Sequence, residues 1–359
     1  MTFNRAALLL AAPAILFAGC SESAPAQKQA AAPPKAASAP APAPYTPPPA
    51  SASPMGQTID QAVWTPALPA PQPGQGAPVH DALIRAQVLL ARAHFSPGVI
   101  DGQDGGNMKN AVAAFEAARG LPEDGVMDDK VWAELAKDSG PVTQDYVITA
   151  EDAAGPFTPE IPKDYGEMAK LERLGYSGPL EALAEKFHMD EALLARLNPG
   201  ADFSKAGTRI LVVATGPRDL AGEVARIEVD KAKKQVRAYG QDGKLMSAYP
   251  ATVGSSDMPT PAGTWAVRTV ATAPTWTYDP SRLNFGDKSV GKQTIAAGPN
   301  NPVGAVWIDL TKETYGIHGA PDPRLVGKTA SHGCVRLTNW DAKQLSEAVS
   351  KGTEVKFLG

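Results

Sequence analysis

The sequence predicts a multidomain chain: a mainly antiparallel β domain at the C-terminal end, preceded by a small all-α domain and a small α/β module. Three observations carry this. From about residue 221 onward, short runs alternate apolar and polar residues between Gly- and Pro-containing turns, the pattern of half-buried strands. Between residues 79 and 140 the apolar residues recur at helical spacing instead. Ahead of both, residues 20–78 are dominated by Ala, Pro and Ser, with too few large apolar side chains to offset chain entropy, so a disordered tether is expected. A chain of 359 residues has room for about two or three such domains. Its net charge of -4 offers no basic footprint for nucleic acid.

The first residues read as an export signal. Arg5 supplies a modest positive flank, and residues 6–17 form an apolar run too short to span a bilayer. The run ends in Leu16-Phe17-Ala18-Gly19-Cys20, which resembles a bacterial lipobox. Residues 1–19 would then be a lipoprotein signal peptide and Cys20 the acylated first residue, held on a membrane by its lipid chains. An ordinary signal peptide cut near Ala18 is the alternative. Ser21 after the cysteine goes with outer-membrane sorting in enterobacterial lipoproteins. The Ala-Pro repeat at 39–44 and Pro47-Pro48-Pro49 would make the tether a semi-rigid polyproline-II spacer, with Trp64 a solvated aromatic within it.

Three helices are predicted next, over about 82–94, 107–119 and 128–136, with Gly120 as a helix stop and Asp-Gly turns at 101–102 and 124–125. Asp-Gly, A-V-x-x-F-E-x-x-x-G-L, Asp-Gly and W-x-x-L resemble the three-helix peptidoglycan-binding domain, here residues 79–140. Asn107 stands where that family usually starts its helix with glycine and threonine. A spacer without glycan affinity is the competing reading. Residues 160–215 then give a short helix with Leu183 and Phe187, a second capped by Asp190, a Leu197-Asn198-Pro199-Gly200 turn and a strand at 208–213. This resembles the second half of a LysM module, while the opening strand is poorly matched at Gly166-Glu167-Met168. His80, His94 and His188 read as packed or solvated rather than chemical.

In residues 221–358, strands are expected at 226–230, 235–239, 245–253, 264–267, 306–310, 315–318 and 354–357, with a turn at Asp242-Gly243 and one helix over 339–350 capped by Thr338 or Asn339. Two of the chain's five histidines, His318 and His332, fall within sixteen residues of Cys334. A thiol beside an imidazole is the minimum equipment for covalent acyl transfer. A zinc site built on these three residues lacks a fourth ligand and is set aside, so no metal or cofactor is expected.

Tyr315-Gly316-Ile317-His318-Gly319 followed by Ser331-His332-Gly333-Cys334-Val335-Arg336-Leu337 resembles the L,D-transpeptidase catalytic domain of the YkuD type. The runs at 253–265 and 298–304 agree with it. The resemblance implies transfer between peptidoglycan stem peptides at a bacterial cell envelope, in the periplasm. Cys334 would be the nucleophile and His318 the proton donor and acceptor, held by the backbone carbonyl of Gly319. The Gly333 amide would serve the oxyanion, and His332 would shape the pocket, with His332 as base the rival assignment. Arg336 would pair with a substrate carboxylate or form a structural ion pair, and Ser331 would contact substrate. Tyr315 and Trp276 would line the cleft or belong to the core. The expected product is a 3→3 cross-link. Alternatives are an L,D-carboxypeptidase or endopeptidase using the same acyl-enzyme, attachment of stems to an envelope protein, and a non-catalytic wall-binding lipoprotein.

Overall fold

The structure, a computed structural model, describes residues 45–65, 79–255, 260–281, 289, 291–331 and 333–359. The signal segment, Cys20 and His332 lie outside these residues. The described residues all fall within one compact unit.

Local rules account for most elements. Helices α1 (Pro54–Gln61), α2 (Asp81–Arg92), α3 (Gly106–Arg119) and α4 (Asp129–Leu135) come first. Asp128 caps α4 by accepting from the amides of Lys130 and Val131, and Gly120 closes α3 in the left-handed conformation. Helix α1 stands inside the segment whose composition predicts a tether. Its sequence is short, but Ile59 is fully buried and the Asp60 carboxylate accepts from the amides of Val142 and Thr143. Tertiary burial overrides composition there, and Trp64 is packed against the same core rather than solvated.

The α/β module begins earlier than its sequence signature. Strand β1 (Thr143–Val147) pairs antiparallel with β2 (Arg209–Val213), and helices α5 (Ala150–Ala154), α6 (Tyr165–Met168), α7 (Pro179–Lys186) and α8 (Glu191–Leu197) lie between them. The expected opening at 166–168 is therefore helical, and the partner strand lies upstream, separated from α7 by an excursion over residues 155–178. The three-helix unit and the two-stranded unit, distinct in sequence, share one hydrophobic core running from Ile59 through Leu90, Phe115 and Leu194 to Val213.

The C-terminal sheet has eight strands in the order β11-β10-β9-β6-β12-β3-β4-β5. They are β3 (Val224–Asp230), β4 (Gln235–Gly240), β5 (Leu245–Pro250), β6 (Gly263–Thr272), β9 (Val306–Leu310), β10 (Gly316–His318), β11 (Val335–Arg336) and β12 (Glu354–Leu358). Only β10/β11 and β12/β3 pair in parallel. A separate hairpin of β7 (Trp276–Tyr278) and β8 (Gln293–Ile295) packs against the 155–178 excursion through Met168, Leu174 and Tyr278. Just past β5, Thr252 bridges to Arg336 and Gly254 to Ser331, so the two ends of the strand order meet and curl the sheet. Helix α9 (Asn339–Ala348) covers the core with Ala342 and Leu345; complete burial of one such leucine contributes about 1.5–3 kcal/mol.

Candidate active site

Alternation along β10 and β11 decides which side chains face the core. Ile317 pairs with Val335, and both are buried in the sheet core. Their neighbours His318 and Arg336, also paired, therefore point to the other face, and the same step places Gly316 beside Cys334. On the far side of β10, Trp307 of β9 pairs with His318 and Asp309 with Gly316. Five chemically useful side chains thus line one face of three adjacent strands: Cys334, Arg336, His318, Trp307 and Asp309.

His318 is only 2% exposed. Its Nδ1 lies 2.7 Å from the carbonyl oxygen of Gly319, which places the proton on Nδ1, and the Val303 carbonyl also lies within reach of the ring. Its ring lies nearly parallel to that of Trp307, 5.2 Å away and inclined by 20°. Burial, with the Arg336 guanidinium adding to it, pushes the imidazole down to about 3. Burial also pushes the Cys334 thiol up, opposed by the Gly316 amide and the Arg336 charge. The resting site therefore holds a neutral imidazole and a neutral thiol on one face of the sheet. The Sγ sits 3.9 Å from the Thr314 carbonyl, and Thr314 adopts φ of 69° in the β9–β10 turn.

The thiol loop is held by its own hydroxyl. Ser331 Oγ accepts from the Gly333 amide at 3.1 Å and donates to the Cys334 carbonyl at 2.6 Å, while the Ser331 amide donates to Val253. Ser331 is 3% exposed, so here it is a support of the loop. The Gly333 amide is engaged by that hydroxyl in this resting arrangement, and Gly333 takes φ of 117°, a conformation that side chains disfavour. Arg336 has a buried Nε without a hydrogen-bond partner among the described residues. Tyr315, half-buried, sits in the β9–β10 turn beneath Lys312. Trp276 packs edge-on against Tyr165, 5.1 Å away, in the aromatic cluster of the β7–β8 hairpin. Among the described residues no group of three or more His, Cys, Asp or Glu is arranged to hold a metal ion.

Two residues of this face escape the sequence reading. Trp307 lies over Gly316 so closely that a Cβ on Gly316 would fall 2.5 Å from its ring, which explains the glycine. Asp309 accepts from the Trp307 indole at 3.3 Å and pairs with Arg268 at 3.2 Å. Both are visible in the sequence only as alternating positions of a strand. Their place beside the thiol needs the β9–β10 register.

Residues 224–357 match the family of L,D-transpeptidase catalytic domains, and residues 79–135 match a family described as a peptidoglycan binding domain. YkuD of Bacillus licheniformis, named as an L,D-transpeptidase, is 30% identical over 178 residues, which are 50% of this chain and 92% of that protein. ErfK/SrfK of Escherichia coli K12, named for the same activity, is 30% identical over 189 residues, 50% of this chain and 59% of that protein. A solved L,D-transpeptidase from Xylanimonas cellulosilytica overlaps 81% of this chain and 100% of its own at 18% identity, with a TM-score of 0.37, too loose to argue from. With a catalytic domain matched along its length and a relative of that identity covered almost end to end, the chain belongs to the L,D-transpeptidase family.

Proposed function

We propose that this chain forms 3→3 cross-links between peptidoglycan stems through a thioester on Cys334. The observation that carries this is the placement of the thiol and His318 on the same face of adjacent parallel strands, with His318 Nδ1 locked on Gly319. Cys334 Sγ attacks the carbonyl of the third-residue diamino acid of a tetrapeptide, and its proton passes to His318 Nε2. His318 then protonates the departing terminal D-amino acid, leaving a thioester. The side-chain amine of a second stem attacks the thioester and gives a proton to His318, which returns it to the thiol.

Burial leaves the imidazole neutral with a lone pair available but weakens it as a base, so the thiolate forms only as attack proceeds. The unpartnered Nε of Arg336 is suited to a carboxylate of the donor stem. Trp307 and Thr314 wall the thiol. The Cys334 amide is the natural oxyanion donor, since that of Gly333 is engaged by Ser331. His332, outside the described residues, would shape the pocket in this proposal. A lipid on Cys20 would hold the enzyme in the periplasm, on the outer membrane, and the unit built of β1, β2 and the helices between them would act as a LysM-like module.

The test is incubation of the purified protein with disaccharide-tetrapeptides, followed by mass analysis. A dimer joined between two diamino acids supports the proposal. Tripeptide alone would make the enzyme an L,D-carboxypeptidase, and unchanged substrate would remove the catalytic reading. Cys334→Ala is expected to abolish both product formation and the covalent adduct with a carbapenem.

A further inference from the structure

The carbonyl that orients His318 belongs to a residue with no side chain to hold it, and what holds it comes from elsewhere. The Gly319 amide donates to Val306 at 3.1 Å. Against its other side lies the carboxamide of Asn339, the first residue of α9. A Cβ on Gly319 would fall 2.2 Å from Asn339 Oδ1, and one on Gly304 2.3 Å from the same atom. That oxygen accepts from the Ala305 amide at 2.9 Å. Thr338 caps α9 through its hydroxyl, which leaves the Asn339 side chain free for this task. Asn339 Nδ2 donates to the Pro299 carbonyl at 3.1 Å and to both oxygens of Glu185, at 3.0 and 3.3 Å.

Glu185 lies on α7, outside both matched family segments. It is 7% exposed. The Tyr176 hydroxyl reaches its second oxygen at 3.4 Å, and the carboxylates of Glu181 and Asp322 face it. The same unit grips the loop leading into β9. Leu174 donates to the Ala297 carbonyl, the Asn300 amide donates to Leu174, and Asn300 Nδ2 reaches Gly175 and Glu181. The path from α7 to the imidazole is therefore short and continuous: Glu185, Asn339, the backbone at Ala305 and Gly319, then His318 Nδ1.

We propose that Asn339 and, through it, Glu185 are positioning residues for the His318 base, so that the module preceding the catalytic domain forms part of its machinery. Neither touches substrate. They fix the direction of the Gly319 carbonyl and hence of Nε2. A misplacement of about 1 Å in such a support can cost about a hundredfold in rate. The inference rests on His318 being the base, so His318→Gln is measured beside the two variants, with a disaccharide-tetrapeptide as donor.

Asn339→Ala is expected to lower kcat about tenfold or more with KM changed less than about twofold. Glu185→Leu, similar in size but without an acceptor for Asn339 Nδ2, should lower kcat in the same sense but less, again with KM unmoved. Loss confined to KM, or wild-type kcat in a folded Glu185→Leu protein, would overturn the inference. If that happens while His318→Gln is inactive, the base assignment stands and only the positioning role falls. If His318→Gln retains full activity, the underlying reading falls first.

Discussion

Two histidines of this chain lie flat on two tryptophans, and they do different things. His318 stacks on Trp307 at 5.2 Å and 20°, and His188 stacks on Trp340 at 4.8 Å and 9°. Burial pushes each imidazole down to about 3. By stacking and titration the two are alike, although His318 is buried and His188 is only partly so. They differ in what surrounds the ring nitrogens. His318 has a carbonyl on Nδ1 and a thiol on the next strand. His188 sits between α7 and α8 with φ of 57°, one residue past the cap of α7, and packs the α/β module onto α9. A depressed imidazole therefore marks burial alone, and what sets His318 apart is the carbonyl on its Nδ1 and the thiol on the next strand.

The pair can be separated most sharply by substitution. His318→Gln should lower the acylation rate per folded molecule by about 10²–10⁴. His188→Asn keeps a residue that tolerates the left-handed backbone and deletes the stack. It should cost about 1–3 kcal/mol of stability while the rate per folded molecule stays at the wild-type level. Rate measurements with tetrapeptide donor and a thermal melt on each variant check this. A His188 variant that folds yet loses turnover would erase the distinction.

The second expectation concerns the proton. A neutral imidazole beside a thiol pushed up by burial means that no thiolate–imidazolium pair is formed in advance. The rate of Cys334 alkylation by iodoacetamide should therefore climb with pH through the alkaline range, without a step near the ordinary histidine value of about 6.5. A plateau reached below pH 7 would show a preformed ion pair and break the description of the resting site.

The same contrast shows what a sequence exposes. The β10 and β11 motif, the Asp242-Gly243 turn, and the caps at Asp128, Asp190 and Thr338 are local, and local physics specifies them. His188 also had a local signal. It follows its helix as His94 follows α2, and in both places the next amide reaches back to a helix carbonyl, Met189 to Ala184 and Phe95 to Leu90. The short echo Ala93-His94-Phe95 and Phe187-His188-Met189 marks two left-handed helix ends. Helix α1 was hidden because its Ile59 and Asp60 matter only through Val142 and Thr143. Strand β1 was hidden because its partner lies beyond a two-helix unit and the 155–178 excursion. Trp307 and Asp309 needed strand register, and Asn339 needed a contact with Glu185 across 154 residues.

The smallest expected effect lies behind His318, where stability and activity part company. The Glu185 carboxyl is pushed up from the usual 4.5 to about 8, chiefly by burial, with Glu181 adding to it and Asn339 opposing. The folded chain thus keeps a proton that the unfolded chain releases. Its stabilising contribution is complete below about pH 4.5, falls as pH rises, and is gone above about 8. Glu185→Gln carries no such proton. Its stability relative to the native chain should match at pH 4.5 and gain on the order of 1–3 kcal/mol by pH 8.5, read by denaturant melts across that range. Asp341, pushed up by burial to about 7, titrates in both proteins and cancels from the difference. A constant gap across the range would mean that Glu185 is ionised throughout. A gap that widens with turnover kept, where Glu185→Leu loses it, would show a buried carboxyl whose polar contact to Asn339, and not its charge, supports His318 at a cost in stability.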